Sequence, residues 1–498
     1  MLAPSENGLA ETAVNYLLRL VDLSVFAFAL VFGLGVVLLG PGAAFSLRIV
    51  PTMCVGLTLL VGTRLVFARW SAVRVRKYVF SWRVVGVFLC VGLLARIAFA
   101  LLVHPNPESD FLAYWQSAEH MLEAHEYADI NVGGQSQLLH AYRPPGPAFL
   151  VAASMAIVGR NIAAPMLVNL VCFILTTLLV ADSCRRLLPP LAVYCASGIL
   201  ALWPSDMMLA GLAQSETPAI LGMALAMWLT VLLRNKPWIW AVSTGVVIGL
   251  SCLVRNSNLI VIPVFVIFAF RSDWPWSRRI SASLVFVLCT FAVLLPWSLR
   301  NYRLLHAWVL VATNGGENFF VANNPKGDGS WTLESDEEMR RLLPDEVLMN
   351  RVGFAKAKEW ISQNPMGFVK LFIPKFRILV QTDDHGPYWA LERGRHYNGP
   401  WLTFAKRLAD FWWILLWLLA LQTLFLFPHW RQNHIMMFIL ALAIVPESLF
   451  LIFLSAERYH APMVPAVVCL AAFAISRREM LAPVTAEIRT ASGQTAPR

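Results

Sequence analysis

Apolar runs alternate with short polar breaks along the chain, and most approach the roughly twenty residues that a helix needs to cross a bilayer. They begin near Leu17, Ile49, Val84, Ala163, Leu191, Leu209, Ile280, Phe411, Ile435 and Pro462, and two shorter ones flank Arg255. The pattern predicts about twelve membrane-spanning helices. Basic residues between the runs orient the path. RWSAVRVRKYVFSWR, Arg69 to Arg83, holds five bases and no acid, which assigns it to the cytoplasm by the positive-inside rule. Arg185 with Arg186, Arg234 with Lys236, Arg271 with Arg278 and Arg279, and Arg477 with Arg478 then fall on the same side, provided that PAFLVAASMAIVG, Pro147 to Gly159, does not cross. A run this short between proline-rich and polar ends suits a re-entrant or surface-lying helix.

Two regions remain for the outer face. The first, His104 to about Gly146, holds six acids (Glu108, Asp110, Glu119, Glu123, Glu126 and Asp129) against one base, Arg143. The second runs from Arg300 to about Lys406. It contains a turn-rich stretch, NGGENFFVANNPKGDGSW, then a helical pattern from Glu334 to Gln363 with acids early and lysines late. MGFVKLFIPKFRILV follows, an apolar stretch with Lys370, Lys375 and Arg377 that reads as an interfacial helix. The expected organisation is an extra N-terminal hairpin and basic loop (1–83), a membrane core (84–299) containing the first outer loop (104–146), an external domain (300–408), C-terminal spans (409–476) and a cytoplasmic tail (477–498).

Composition agrees, with 58% hydrophobic and only 14% charged residues, too apolar for a soluble domain. The net charge of +10 does not indicate nucleic acid, because no basic run is interleaved with aromatics and the bases cluster where spans end. The eight cysteines, Cys54, Cys90, Cys172, Cys184, Cys195, Cys252, Cys289 and Cys469, lie in or beside apolar segments without a CxxC pair, as small core residues do. The N-terminus lacks the basic start and small-residue cleavage site of a signal peptide, so its first apolar run is expected to be retained.

Candidate chemistry gathers at the outer level. Asp110, Tyr114, Ser117 and Met121 fall on one face of a predicted helix, with Asp110 in its first turn. Asp110 is there either as a cap or as a carboxylate that accepts a proton from a hydroxyl. Arg143, in AYRPPGP, is either an interfacial anchor or a two-pronged phosphate ligand. Glu216, in LAGLAQSETPAIL, is an ionisable group at membrane depth that faces a partner or a substrate cavity. Arg255, Arg300 with Arg303, and the stretch Glu457, Arg458, Tyr459 and His460 converge on the same level. Anionic headgroups or a dedicated phosphate pocket would each account for so many arginines there. Asp383-Asp384-His385 reads as a solvated turn rather than a metal site, because three adjacent side chains do not easily converge. No GxSxG, HExxH, P-loop or dinucleotide fingerprint is present.

The order of these motifs carries more than any one of them. Asp110 in the first outer loop, YRPPGPAFL, SE at the outer end of a span, LVR before NLIVIP, LPWSLRNY with TNGGENFFVANNP, and ERYHAPMVP before the last span resemble the membrane glycosyltransferases of the GT-C class. The likeness is to the branch that holds protein O-mannosyltransferases, the aminoarabinose transferase of lipid A and the rhizobial lipopolysaccharide core transferases, over about Val84 to Ile475. It implies an all-α integral membrane GT-C fold and transfer of a sugar from a polyprenyl-phosphate donor to an acceptor hydroxyl on the outer face, with inversion. Asp110 matches the family's first-loop catalytic acidic residue, which implies a general base, and Arg458, Tyr459 and Arg143 match positions that hold the donor phosphate or lipid. Arg255 and Arg300 are expected to join them, with Tyr114, Glu216, Glu457 and His460 lining the substrate cavity. Where relatives carry paired acids this chain has Ser109-Asp110, so a second carboxylate must come from Glu108 or be absent. No cofactor is required by this scheme and metal dependence stays open.

The absence of the oligosaccharyltransferase WWD, since Ile414 follows Trp412 and Trp413, disfavours transfer of large oligosaccharides to asparagine. The acceptor is a lipid, a polysaccharide, a lipid carrier or a protein, and the expected location is a bacterial inner membrane with the site facing outward. The rival classes are a secondary transporter, which would show two matching halves, and a non-catalytic envelope assembly protein.

Overall fold

The structure, a computed structural model, describes residues 79–132, 135–426 and 433–480. The apolar runs near Leu17 and Ile49, Cys54, most of the loop Arg69 to Arg83 and the tail after Met480 lie outside them. Within the described residues, five helices have the length and composition to cross a membrane: Trp82–Val103, Ala163–Leu187, Pro237–Val254, Trp276–Leu305 and His434–Ile452. Shorter apolar helices, Gly146–Val158, Pro190–Ala201, Glu216–Leu232, Asn256–Arg271 and Ala461–Ser476, pack among them, and the helix Pro400–Leu426 runs beside the last of these. The chain is an all-α integral membrane protein. Among the described residues its one sheet is an antiparallel hairpin, Asp129–Val132 with Gln135–Leu139.

In a bilayer, lipid tails are as apolar as leucine, so helices hold together through close packing and polar contacts. Gly245 and Gly249 supply both for Pro237–Val254. A Cβ at Gly245 would lie 2.5 Å from Phe286 O, and one at Gly249 would lie 2.8 Å from Thr290 O. The Thr290 hydroxyl fills the crossing, donating to Gly245 O at 3.2 Å and to Phe286 O at 2.9 Å. This contact fixes the end of the helix, where Arg255 leaves it as the C-cap. The last helix begins at Val464 and is buried continuously through Phe473, so it is the central post of the bundle. Arg458 and Tyr459 enter at its N-terminal end.

Arg96 is a charge within the membrane that the hydropathy pattern hides. It is fully buried and pairs with Asp206 at 2.7 Å. It also donates to the carbonyls of Gly92, Leu200 and Ala201, and its guanidinium lies 3.8 Å from the centroid of the Phe173 ring. A charge so placed needs such partners, and through them it ties the first described helix to the end of Pro190–Ala201.

Several elements differ from the sequence pattern. The run expected from Leu209 becomes helical at Glu216, because Asn169 draws the carbonyls of Leu209, Ala210 and Leu212 onto its side-chain amide. The stretch read as turn-rich contains a helix, Gly315–Ala322. Its Phe319, Phe320, Val321 and Ala322 are buried, and a Cβ at Gly316 would lie 1.9 Å from Asn350 O, so only glycine permits this crossing with Glu346–Gln363. The pattern from Glu334 to Gln363 is two helices, Leu333–Arg340 and Glu346–Gln363, with Pro344 between them. The apolar stretch after it is also two helices, Pro365–Lys370 and Phe372–Gln381. Lys370 and Arg377 are exposed there, but Lys375 is fully buried and donates to Asn323 Oδ1 at 2.8 Å and to Ile452 O at 3.2 Å. The helix Trp276–Leu305 continues past Arg300.

Candidate active site

A cavity of about 1370 Å³ opens between one end of the bundle and the layer of short helices from 315 to 393. Asp110, Tyr114, Arg143, Arg255, Arg458 and Tyr459 all line it, although they come from four separated segments. Asp110 sits in the first turn of Ser109–Ala124 and caps nothing. The N-cap is Glu108, and the oxygens of Asp110 go to two arginines. Arg143 Nε donates to Oδ1 at 2.9 Å, and Arg458 Nη2 pairs with Oδ2 at 2.7 Å.

These contacts belong to a longer chain of alternating charges. Arg143 Nη1 reaches Asp129 Oδ1 at 3.2 Å, and the Arg143 backbone N–H donates to Asp129 Oδ2 at 2.9 Å. Arg458 Nη1 lies 3.9 Å from Glu216 Oε1, and Arg255 Nη1 donates to the same oxygen at 3.1 Å. Asp129, Arg143, Asp110, Arg458, Glu216 and Arg255 thus run in sequence with balanced charge. Burial alone would push the Asp110 carboxyl up, but Arg458 and Arg143 reverse this and hold it well below the usual carboxylate range. Tyr459 stacks on Phe450 with ring centroids 4.7 Å apart, and the Arg255 guanidinium lies 5.2 Å from its ring.

The placement of Arg143 follows from the loop around it. Glu346 accepts from the backbone N–H groups of His140 and Ala141 at 2.7 and 3.1 Å and from the Thr313 hydroxyl at 2.7 Å. This anchors the residues just before Arg143. The Tyr127 hydroxyl closes the other side, donating to Arg143 O at 3.0 Å. Pro145 takes a helical backbone rather than an extended one, so Arg143 enters directly from the start of Gly146–Val158 and is buried.

Three residues expected at the cavity face elsewhere. Arg300 donates to the carbonyls of His140 (2.6 Å) and Tyr127 (2.5 Å) and lies against the Trp297 ring, so it ties its helix to the first loop. Glu216 is buried behind Arg255 and Arg458, where it balances their charge instead of lining the cavity. His460 is stacked 3.8 Å from Trp413 and hydrogen-bonded to Asp383 at 3.0 Å, inside the protein. Glu457 does line the cavity. Burial would raise its carboxyl, but the His385 contact at 3.1 Å holds it down at about 2.

Asp383-Asp384-His385 is not the solvated turn that its polarity suggests. Asp383 and His385 are both 2% exposed. Trp203 Nε1 donates to Asp383 at 2.6 Å, and the Asp383 N–H donates to Asp410 at 2.8 Å. Gly386 lies against Ser205, where a Cβ would come within 2.2 Å of the carbonyl. Apolar residues on both sides, Leu379 and Val380 before and Trp389 and Ala390 after, were the signal of a segment that re-enters the protein. Glu317 was also missed. It accepts from the Tyr142 hydroxyl at 2.6 Å beside Asp336 and Arg340, and burial together with Asp336 pushes it up to about 8. Glu108, the other source of a second acid beside Asp110, is paired with Arg393 at 3.0 Å.

The family model of the dolichyl-phosphate-mannose-protein mannosyltransferases matches residues 142–299, which includes Arg143, Glu216 and Arg255. Among curated proteins, none matches by sequence. The oligosaccharyltransferase of Archaeoglobus fulgidus in its apo form is similar in structure with a TM-score of 0.50 and 13% identity, over 83% of this chain and 52% of that one. The archaeal oligosaccharyltransferase AglB from the same organism, in complex with an inhibitory peptide and a dolichol-phosphate, gives 0.48 at 13% identity over 83% and 52%. ArnT from Cupriavidus metallidurans in the apo state gives 0.35 at 13% identity over 79% and 77%. The chain spans about half the length of the archaeal structures it matches. At this identity the likeness is one of fold, and the fold is that of the GT-C glycosyltransferases, as the sequence resemblance implied.

Proposed function

We propose that this chain, built on the GT-C fold, transfers a sugar from a polyprenyl-phosphate donor to an acceptor hydroxyl, with inversion and with Asp110 as general base. The observation that carries this reading is the carboxylate of Asp110 held at the cavity wall between Arg143 and Arg458. The matched family model, which names a dolichyl-phosphate sugar, supports the donor class. While paired with both guanidiniums Asp110 is a weak base, since they stabilise its anion. The donor phosphate competes for Arg458, with Arg255 and Tyr459 beside it. As Arg458 turns to the phosphate, Asp110 loses one partner and its affinity for a proton rises.

The acceptor oxygen then attacks the anomeric carbon on the face opposite the phosphate while Asp110 takes its proton. The bond from that carbon to the phosphate oxygen breaks, and polyprenyl phosphate leaves with its charge balanced by the arginines. Guanidiniums here take the part that a divalent ion plays for a nucleotide diphosphate donor. Leu259, Ile260, Leu449 and Phe453 along the cavity offer an apolar wall to the first isoprene units. The layer from 315 to 393 closes the opposite side and is where the acceptor enters. The site faces the outer side of a bacterial inner membrane, as the basic loops orient the chain.

A single displacement inverts the anomeric centre. The glycosidic product, made from a donor of defined configuration and read by NMR coupling constants, is expected to carry the opposite configuration. Retention would overturn this mechanism in favour of a covalent sugar intermediate on a carboxylate.

A further inference from the structure

His385 has one ring nitrogen engaged and one free. Nδ1 contacts Glu457 Oε1 at 3.1 Å, while Nε2 is buried without a hydrogen-bond partner. The residue is 2% exposed and its side chain forms part of the cavity wall. Phe111 and Trp389 hold the ring from two sides, with centroids 5.9 and 6.1 Å away, so it is not free to turn and find another partner. A buried polar nitrogen left in this state is costly unless a bound group completes it.

The chemistry of that group follows from the neighbours. The Glu457 carboxylate on Nδ1 orients the imidazole, and in the imidazolium form Nε2 is a donor as well. The residue after Glu457 is Arg458, so one turn of chain sets both the ring, through Glu457, and the guanidinium that pairs with Asp110. Two charge-assisted donors anchored from one turn suit an anion with several acceptor oxygens. We infer that His385 is a phosphate ligand, its Nε2–H donating to a non-bridging oxygen of the polyprenyl phosphate while Glu457 holds the ring. The inference rests on the lipid-phosphate reading of the donor and adds a residue that the arginine pattern did not contain.

Asparagine and glutamine separate this role from a structural one. The amide nitrogen of asparagine superposes on Nδ1 and keeps the Glu457 contact, whereas that of glutamine superposes on Nε2. The full chain in nanodiscs is titrated with farnesyl phosphate and with farnesol, with thermal unfolding as the check on folding. His385→Asn is expected to weaken farnesyl phosphate binding by about tenfold or more, as loss of a charge-assisted hydrogen bond does, without changing farnesol binding. His385→Gln is expected to stay within about threefold of wild type. A structural ring predicts the reverse order, and that result, or equal losses in both variants, overturns the inference. If neither variant folds, Glu457→Gln decides: it preserves shape and must weaken phosphate binding, and unchanged affinity contradicts the proposal. Wild-type protein that does not prefer the phosphate to the alcohol overturns the donor reading itself, whereas a preference indifferent to His385 and Glu457 overturns only this inference.

Discussion

Asp110→Asn is expected to lower the rate of sugar transfer by about 10²- to 10⁴-fold, the range for loss of a positioned general base, and at the same time to tighten donor binding. The second half of this expectation separates it from misfolding. Asp110 competes with the phosphate for Arg458 at 2.7 Å and neutralises Arg143 at 2.9 Å. Removing its charge leaves both guanidiniums to the donor, so the Kd for a polyprenyl phosphate falls as turnover collapses. A damaged fold would weaken both. The asparagine is nearly isosteric and its amide oxygen can still accept from one arginine, which limits the cost of leaving buried cations without their carboxylate. Parallel measurement of single-turnover transfer and of equilibrium donor binding checks the prediction.

Arg458→Gln is expected to act in the opposite sense on binding. The variant loses a charged donor to the phosphate, which lowers donor affinity by about 10- to 100-fold, and it loses stabilisation of the leaving phosphate, which lowers turnover by about 10²- to 10³-fold. A signature in pH accompanies these losses. Burial acts to raise the Asp110 carboxyl, and Arg458 heads the charges that hold it down. With Arg458 gone the carboxyl titrates at higher pH, so the acid limb of kcat/KM moves upward relative to wild type, as it does when a base is protonated more easily in the free enzyme. An acid limb that does not move, with transfer lost, would place Arg458 in phosphate binding without any hold on Asp110.

The sequence made the level of the site legible, since span counting and the basic loops give depth along the membrane normal. They do not give rotation about a helix, and the misplaced residues follow from that. Arg300 has the right depth and the wrong azimuth, facing the carbonyls of Tyr127 and His140. Glu216 and His460 likewise sit at the expected level but behind the wall. Asp110, Tyr114, Arg143, Arg255, Arg458 and Tyr459 share one cavity because proline, glycine and cap positions aim them, and the resemblance had already grouped several of these. The pairings themselves were not legible. Asp110 meets Arg458, and Arg96 meets Asp206, across long stretches of chain whose spacing carries no periodic signal. Gly316 lay in a stretch read as turn-rich for the same reason, because only the crossing of its helix with Glu346–Gln363 requires it to lack a Cβ. The polar triplet at 383–385 was misread because polarity alone does not distinguish solvent from a buried network.

The central claim is that the chain moves a sugar from a lipid phosphate to an acceptor, and label transfer tests it most directly. Membranes containing the wild-type chain, supplied with polyprenyl-phosphate sugars labelled in the sugar, are assayed for label in the acceptor fraction and for released polyprenyl phosphate, against membranes containing Asp110→Asn at matched levels. The account predicts that both products appear together in equal amount with wild type and fall together in the variant. Label that crosses the bilayer still attached to its lipid, with no released polyprenyl phosphate for any donor, would contradict it and identify a transporter.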